Sequence, residues 1–368
     1  MQKFNIDDDH YMRIALDCAR RVKGTTFPNP AVGAVVVAKG SIMGRGATAA
    51  WGGPHAEKSA LREAGSRARG ATLYVTLEPC CHFGKTPPCT DAIVAAGIKR
   101  VVVAVSDSNP LVAGKGIRQL RRRGIAVAAG LLRDEASAVN EDFFWAITRR
   151  RAFITLKLAL TFDGRIADRK GESKWITGAA LRRVVHDLRR SHAAVAVGSG
   201  TLAADDPQLT IRFGKKANPA RIIFASCEKI PRQSFFYQHA RETRSIVAIR
   251  QKTERRITAD PISGIEFWYT GSDDPYASMA AFTETAFEQN LTSILVEGGQ
   301  KIASVLLEGG FVNRLYLFYG NRIVGRGVDG ILMKHGFPVA NCMTLQERKT
   351  ILVGNDFYVT GIPVFPGE

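Results

Sequence analysis

The chain of 368 residues has no apolar run near the ~18 residues that a membrane-spanning helix needs. Its six cysteines are too few and too unevenly spaced for a disulfide framework in a chain this long. Internal repeats and low-complexity segments are missing, which excludes fibrous and solenoid architectures. No Gly-x-Gly-x-x-Gly fingerprint follows a candidate strand, which excludes an ordinary Rossmann dinucleotide site. The acidic triplet Asp7-Asp8-Asp9 stands where an export signal would carry its apolar stretch, so a cytoplasmic location is expected.

What is present fits a folded enzyme: 45% apolar and 23% charged residues, with 35 Gly and 15 Pro. The length favours two domains. The net charge of +17 raises the question of a nucleic-acid partner. The excess is spread, however, with +7 in residues 1–146 and +10 in the remainder. A nucleic-acid footprint clusters on one face or arm, whereas an even distribution suits a solvated surface and a phosphorylated small substrate.

Hydrophobic patterning alternates strands and helices throughout. In the first half it predicts strands at 31–37, 71–77, 100–106 and 125–129, and helices at 56–64, 87–96, 116–123 and 135–148. The strands are continuous apolar runs, as in a sheet covered on both faces. A new pattern starts at 153–160, which places the boundary between a domain of 1–147 and one of 148–368. Further strands are expected at 193–197, 221–224, 245–249, 293–297 and 314–319, and helices at 178–190, 276–289 and 301–307. Residues 264–275 and 321–336 read as loops.

The sharpest chemical signal is Pro54-His55-Ala56-Glu57, followed by Glu78-Pro79-Cys80 and then Cys89. One imidazole and two thiolates form a ligand set that zinc accepts, with a fourth position open for water. A non-ligand glutamate two residues after the histidine can take a proton from that water and return it to a leaving amine, which is the plan of a hydrolytic deaminase. The helix starts expected after His55 and after Cys80 would favour thiolates through their dipoles. A purely structural zinc would need a fourth protein ligand, for which Cys81 or His82 is available.

His-Ala-Glu with Pro-Cys resembles the cytidine deaminase superfamily, although most of its members continue Pro-Cys-x-x-Cys where this chain separates Cys80 and Cys89 by eight residues. The stretch EPCCHFGKTPPC, with PNPAVGAVVV before it and NPLVAGKGI after it, is similar to the deaminase half of the bifunctional riboflavin biosynthesis proteins, which are diaminohydroxyphosphoribosylaminopyrimidine deaminases and 5-amino-6-(5-phosphoribosylamino)uracil reductases. The resemblance extends over nearly the whole chain. It implies a cytidine-deaminase-like three-layer α/β domain, with His55, Cys80 and Cys89 holding one zinc per chain and Glu57 as the catalytic proton carrier. It further implies a substrate pocket lined by Asn29, His82, Lys85, Asp107 and Asn109. From the residues alone each of these five is also a plausible turn or cap residue. Two departures stand out: Thr48 occupies a position that is usually histidine, and Asp107-Ser108-Asn109-Pro110 replaces Asp-Pro-Asn-Pro.

In the second half, ILVE runs into Gly298-Gly299 and then into a helix, and Val197 runs into Gly198-Ser199-Gly200-Thr201. Glycines at strand-to-helix turns let the backbone approach a phosphate, although a tight packing turn reads the same. LKLALTFDGRIA, SKWITG, HDLRR, VGSGTLAADDPQLTIR and LVEGG resemble the reductase half of the same family, which implies a dihydrofolate-reductase-like α/β domain using NADPH. By that likeness Ala159, Trp175, Thr201, Asp205 and Ser226 contact the cofactor. So does the turn and helix start Gly299, Gln300, Lys301, Ile302, Ala303, Ser304 and Val305. Ser173, Arg189, Leu209, Arg212 and Glu297 contact substrate, the two arginines as phosphate partners. Trp175 and Leu209 can also be read as core residues, and Asp205-Asp206-Pro207 as a cap or turn.

The resemblance therefore implies zinc-dependent hydrolytic deamination of 2,5-diamino-6-(5-phosphoribosylamino)pyrimidin-4(3H)-one, then NADPH reduction of the ribosyl group to ribityl. It implies a small-molecule substrate, no nucleic-acid or membrane partner, and a homo-oligomer. The alternatives are a tRNA or polynucleotide deaminase with an accessory domain, which requires a clustered basic face, and a basic binding protein on an inactive deaminase fold.

Overall fold

The computed structural model describes residues 4–83, 87–109, 112–212 and 218–366. Clustering of the fold divides the chain into two units, Met1–Arg150 and Arg151–Glu368.

The first unit runs α1 (Asp8–Val22), β1 (Gly33–Ala38), β2 (Ser41–Ala47), α2 (Ala56–Ala64), β3 (Thr72–Leu77), α3 (Cys89–Ala95), β4 (Arg100–Val105), α4 (Lys115–Arg122), β5 (Ala126–Ala129), α5 (Arg133–Val139) and α6 (Glu141–Arg149). Among the described residues its sheet has five strands in the order β2-β1-β3-β4-β5. β1 is antiparallel to β2 and β3, whereas β3, β4 and β5 are parallel. Successive residues of β1 point to opposite faces: Ala34 and Val36 pack with Ala60, Ile93 and Leu120, and Val35 and Val37 with Met12, Leu16 and Ala136. The result is the three-layer α/β arrangement that the family resemblance implies.

Three local features depart from the sequence expectation. α1 was not anticipated, because its buried face is a sparse stripe of Met12, Ala15, Leu16 and Ala19. Its first turn is fixed by tertiary contacts, in which Asp8 accepts from Tyr74 Oη at 2.8 Å and from both Arg100 amino groups at 2.8 and 2.7 Å. The single helix expected at 135–148 is two helices joined at Asn140. The amide of Asn140 is bound to Ala31, accepting from its N–H at 2.8 Å and donating to its carbonyl at 2.9 Å, and that buried pairing fixes a non-helical backbone there. β2 carries Gly46, at which a Cβ would lie 2.1 Å from the Ala56 carbonyl oxygen. Only glycine lets the start of α2 sit this close to the sheet.

The second unit contains β6 (Phe153–Leu160), β7 (Arg165–Asp168), α7 (Ala179–Ser191), β8 (Ala194–Gly198), α8 (Ser199–Asp205), β9 (Ala220–Ala225), α9 (Phe235–Gln238), β10 (Ser245–Ile249), β11 (Arg256–Ala259), β12 (Glu266–Tyr269), α10 (Pro275–Glu288), β13 (Ser293–Val296), α11 (Gln300–Glu308), β14 (Arg314–Tyr319), β15 (Gly327–Asp329), β16 (Thr344–Val353) and β17 (Asp356–Val364). Among the described residues the main sheet has the order β11-β12-β10-β9-β8-β13-β6-β14-β17-β16. From β12 to β14 the strands are parallel, so their carboxyl ends share one edge.

Two segments expected to be loops contain strands. β12 lies inside 264–275, where Trp268 is buried and donates its indole N–H to Glu266 Oε2 at 2.9 Å. β15 lies inside 321–336 and pairs with β7. β16 was missed because most of its residues, including Glu347, Arg348 and Lys349, are exposed and give no apolar pattern.

Candidate metal centre and cofactor cleft

Three donor atoms meet beside the first sheet. His55 is the N-cap of α2, Cys80 lies just beyond β3, and Cys89 is the first residue of α3. His55 Nδ1 is 3.6 Å from Cys80 Sγ and 3.3 Å from Cys89 Sγ, and all three atoms lie within 4.8 Å of one another. Nitrogen and sulfur donors bound tetrahedrally to one zinc stand about 3.6 Å apart, given Zn–N near ~2.1 Å and Zn–S near ~2.3 Å. The two nitrogen-to-sulfur separations therefore suit a zinc ion. Cys80 does not open a helix as expected; the helix begins nine residues later, at Cys89, whose N–H donates to Cys80 Sγ at 3.3 Å. That bond, the Cys89 thiol and His55 hold the Cys80 thiol down to about 4, and the neighbouring anionic sulfur pushes the Cys89 thiol up.

Among the described residues no fourth His, Cys or carboxylate donor joins this triangle. Cys81 and His82, the candidates for a closed structural site, are outside it, and a coordination position is left open. Glu57 faces inward from the first turn of α2 and is only 4% exposed. Burial pushes its carboxyl up to about 7, and the Cys80 thiolate adds to the rise.

The loop carrying Asp107 and Asn109 is tied to the metal segment by Glu78, a residue without a role in the sequence reading. Its buried carboxylate accepts backbone N–H groups from Asp107 at 3.2 Å, Gly114 at 2.9 Å and Ile117 at 3.1 Å. One side chain adjacent to Pro79-Cys80 thus fixes the turn after β4 and the start of α4. Asp107 accepts from the Asn109 N–H at 2.8 Å, and burial pushes its carboxyl up to about 6. His82 lies close enough to act electrostatically on Asp107. Asn29 sits in the turn before β1, where its N–H donates to the Thr26 carbonyl and its carbonyl accepts from the Thr26 hydroxyl. Its amide side chain has no hydrogen bond among the described residues. Thr48 is buried and accepts from the Val32 N–H at 3.1 Å, a structural task at the mouth of β1. Lys85 lies outside the described residues.

In the second unit a cleft of about 960 Å³ runs along the carboxyl ends of the parallel strands. It brings together Ala159, Ser173, Trp175, Thr201, Asp205 and Ser226, as well as Arg189, Leu209, Arg212 and Glu297. Gly299, Gln300, Lys301, Ile302 and Val305 also line it, but Ala303 and Ser304 do not. At 100° per residue these two fall on the inner face of α11: Ala303 is core, and Ser304 donates to Gln300 and Leu332 carbonyls. Gly299 has φ +88°, and a Cβ there would lie 2.9 Å from Thr201 Oγ1. A side chain at Gly299 would crowd Thr201 and strain the backbone, so bare backbone faces a ligand at the amino end of α11.

Trp175 is 56% exposed, with the Arg182 guanidinium 4.4 Å from its ring centroid, so the core reading of this residue fails. Leu209 is both 1% exposed and part of the cleft lining. Ser173 Oγ donates to Asp205 Oδ1 at 3.1 Å, and Asp206 caps α8 and accepts from the Phe235 N–H.

Arg189, expected to meet a substrate phosphate, is paired with Glu297 in this structure. Its fork binds Glu297 at 2.5 and 2.9 Å, and its remaining amino group donates to the Thr210 carbonyl at 2.8 Å. Burial opposes the charged form of Glu297, yet Arg189 and Lys157 outweigh it and hold that carboxyl below the usual range. Arg212 is the exposed cation at this end of the cleft. Lys157 was missed, although a single lysine inside the apolar strand FITLKLAL was a signal. It lines the cleft beside Glu297, and desolvation holds its ammonium below the ordinary value.

Fold and site together define a two-unit chain: a deaminase-type domain built to bind zinc, followed by a reductase-type domain with a dinucleotide-sized cleft. Residues 5–105 match the cytidine and deoxycytidylate deaminase zinc-binding region, and residues 152–359 match the RibD C-terminal domain. The riboflavin biosynthesis protein RibD of Aquifex aeolicus is 44% identical over 325 residues, covering 88% of this chain and 89% of its own length. RibD of Escherichia coli is 36% identical, covering 95% and 98%. The solved diaminohydroxyphosphoribosylaminopyrimidine deaminase/5-amino-6-(5-phosphoribosylamino)uracil reductase of Thermotoga maritima superposes with a TM-score of 0.84 at 36% identity, covering 97% of this chain and 99% of that one. The chain belongs to the RibD family of riboflavin biosynthesis proteins. Among the described residues no helix is long and apolar enough to cross a membrane.

Proposed function

We propose that residues 1–147 deaminate 2,5-diamino-6-(5-phosphoribosylamino)pyrimidin-4(3H)-one hydrolytically and that residues 148–368 reduce the ribosyl group of the product, 5-amino-6-(5-phosphoribosylamino)uracil, to ribityl with NADPH. The observation that carries this reading is the open His55–Cys80–Cys89 triangle beside buried Glu57, in a chain that also carries the glycine-lined cleft.

One zinc held by His55, Cys80 and Cys89 would supply a water of lowered pKa near neutral pH. Glu57 takes the proton of the attacking water and delivers it to the leaving amine, a shuttle that its buried place beside the three donors suits. Asp107, Asn109 and His82 hold the pyrimidine, with Asn29 and Lys85 completing the pocket. In the second unit bound NADPH would supply the hydride for the anomeric carbon of the ring-opened sugar. The glycine turns and α11 would hold the cofactor's diphosphate and Arg212 the substrate phosphate, while Arg189 keeps Glu297 ionised and fixed in the cleft. Lys157, desolvated beside Glu297, is the group in the cleft best suited to give a proton to a sugar oxygen.

A polynucleotide deaminase is disfavoured by the even charge distribution and by the long Cys80–Cys89 spacing. Metal analysis of wild type and Cys89→Ala, with both activities assayed, tests the proposal. One zinc per chain, lost in the variant together with deamination but not reduction, supports it; a wild type holding zinc but showing neither activity refutes it. Assembly into a dimer or larger oligomer is part of the same proposal and is read by sedimentation.

A further inference from the structure

NADPH and NADH differ by one phosphate on the adenosine ribose, so a cleft that selects NADPH needs a cation where that phosphate falls. The cations lining the cleft are distributed unevenly. Lys157 and Arg189 act on Glu297, Arg212 lies by His186, Lys174 and Arg182 flank Trp175, and Lys301 is in the first turn of α11. Arg250 stands apart, at the carboxyl end of β10.

Strand order turns this separation into a direction. β10, β9, β8, β13 and β6 are consecutive and parallel. The glycine turns after β8 and β13 occupy the middle of the edge, and the Glu297 cluster with Ala159 lies toward β6. A dinucleotide with its diphosphate on those turns and its nicotinamide toward β6 lays its adenosine across the ends of β9 and β10. Two strand spacings put the β10 end roughly 10 Å from the β8 turn. The cleft there is lined by Phe224, Ala248, Met279 and Phe282, an apolar seat for a base.

The register pairs Ile249 with Ala225, so Arg250 and Ser226 emerge side by side, and the Arg250 N–H donates to the Ala225 carbonyl at 2.9 Å. The backbone of Arg250 is therefore fixed. Its side chain is exposed and makes no hydrogen bond or ion pair among the described residues. A guanidinium with unused donors, beside a hydroxyl, is a fitting partner for a phosphate dianion.

We infer that Arg250 is the residue that selects NADPH over NADH, its guanidinium meeting the 2′-phosphate of the adenosine ribose with Ser226 beside it. The inference rests on the reading of this cleft as a nicotinamide dinucleotide site.

Calorimetric titration of the full-length wild type and Arg250→Ala with NADPH, NADH and 2′,5′-ADP tests it without turnover. Arg250→Ala weakens NADPH and 2′,5′-ADP by ~10- to 100-fold, the loss of charge-assisted hydrogen bonds, and leaves NADH within about twofold. Lys301→Ala, by contrast, weakens both dinucleotides by a similar factor. Equal weakening of NADPH and NADH in Arg250→Ala, or no change in either, overturns the assignment while leaving the dinucleotide site standing. A wild-type chain that binds neither dinucleotide overturns the site and the assignment together.

Discussion

The two candidate sites are built in different ways. The metal centre draws His55, Cys80 and Cys89 from the beginnings of two helices and the segment joining them to one strand, within 35 residues of chain. The cleft draws its lining from the ends of five or more parallel strands spread from Lys157 to Val328. A centre whose donors are few and chemically distinctive is legible as a motif and fails as a unit. A cleft assembled from strand ends has many contributors, and each substitution removes only part of it.

Glu57→Gln is the strongest test of that difference. Removing the buried carboxylate beside the His55, Cys80 and Cys89 donors lowers deamination by ~10²- to 10⁴-fold, while zinc content and NADPH oxidation stay at wild-type levels. A comparable fall in reduction would break the comparison, because the sites would then fail together.

The next largest effect falls on the buried ion pair of the cleft. Glu297→Gln leaves Arg189 uncompensated and destabilises the second unit by about 3 to 5 kcal/mol, read in denaturant melts alongside reduction. The pH dependence follows from the sign of the shift. The folded-state pKa of Glu297 lies below its unfolded value, so its stabilisation is complete above the ordinary glutamate range and is lost as pH falls through the folded value. Wild type accordingly loses stability on acidification below about pH 4.5 more steeply than Glu297→Gln; parallel curves would show that the pair contributes nothing.

Glu78→Gln sharpens the picture of the first unit. An amide oxygen cannot accept three N–H groups as a carboxylate does, so the 107–117 segment loosens at a cost of about 1 to 3 kcal/mol. KM for deamination rises while zinc content is unchanged. Loss of zinc instead would place Glu78 in support of Cys80 itself. The smallest effect is expected at Trp175→Ala. Its exposed stacking with Arg182 is worth ~0.5 to 1 kcal/mol, which predicts a few-fold weaker dinucleotide binding and unaltered deamination.

Legibility followed chemistry more than location. His55, Glu57, Cys80 and Cys89 were visible because few sequences combine those donors at that spacing. Strands such as β4 and β6 were visible because they are buried along their length. α1 and β16 were not: the first buries mainly alanine and the second is exposed, so neither leaves a strong hydrophobic signature. The helical periodicity of α11 was readable, but which of its faces lines the cleft was not: Ala303 and Ser304 are on the face turned to the core.

By itself the sequence picked out the His55, Cys80 and Cys89 cluster, Glu57 beside it, the two-unit α/β plan and the glycine turns, because each is a property of a short segment and its residue types. Tertiary structure alone decided that Arg189 pairs with Glu297, that Glu78 binds the backbone of Asp107, Gly114 and Ile117, and that Lys157 and Arg250 lie on either side of the glycine turns in one cleft. Those relations arise from strand order and register, which bring together residues separated by tens to more than a hundred positions. No local pattern encodes a charge's partner when the partner is supplied by another strand.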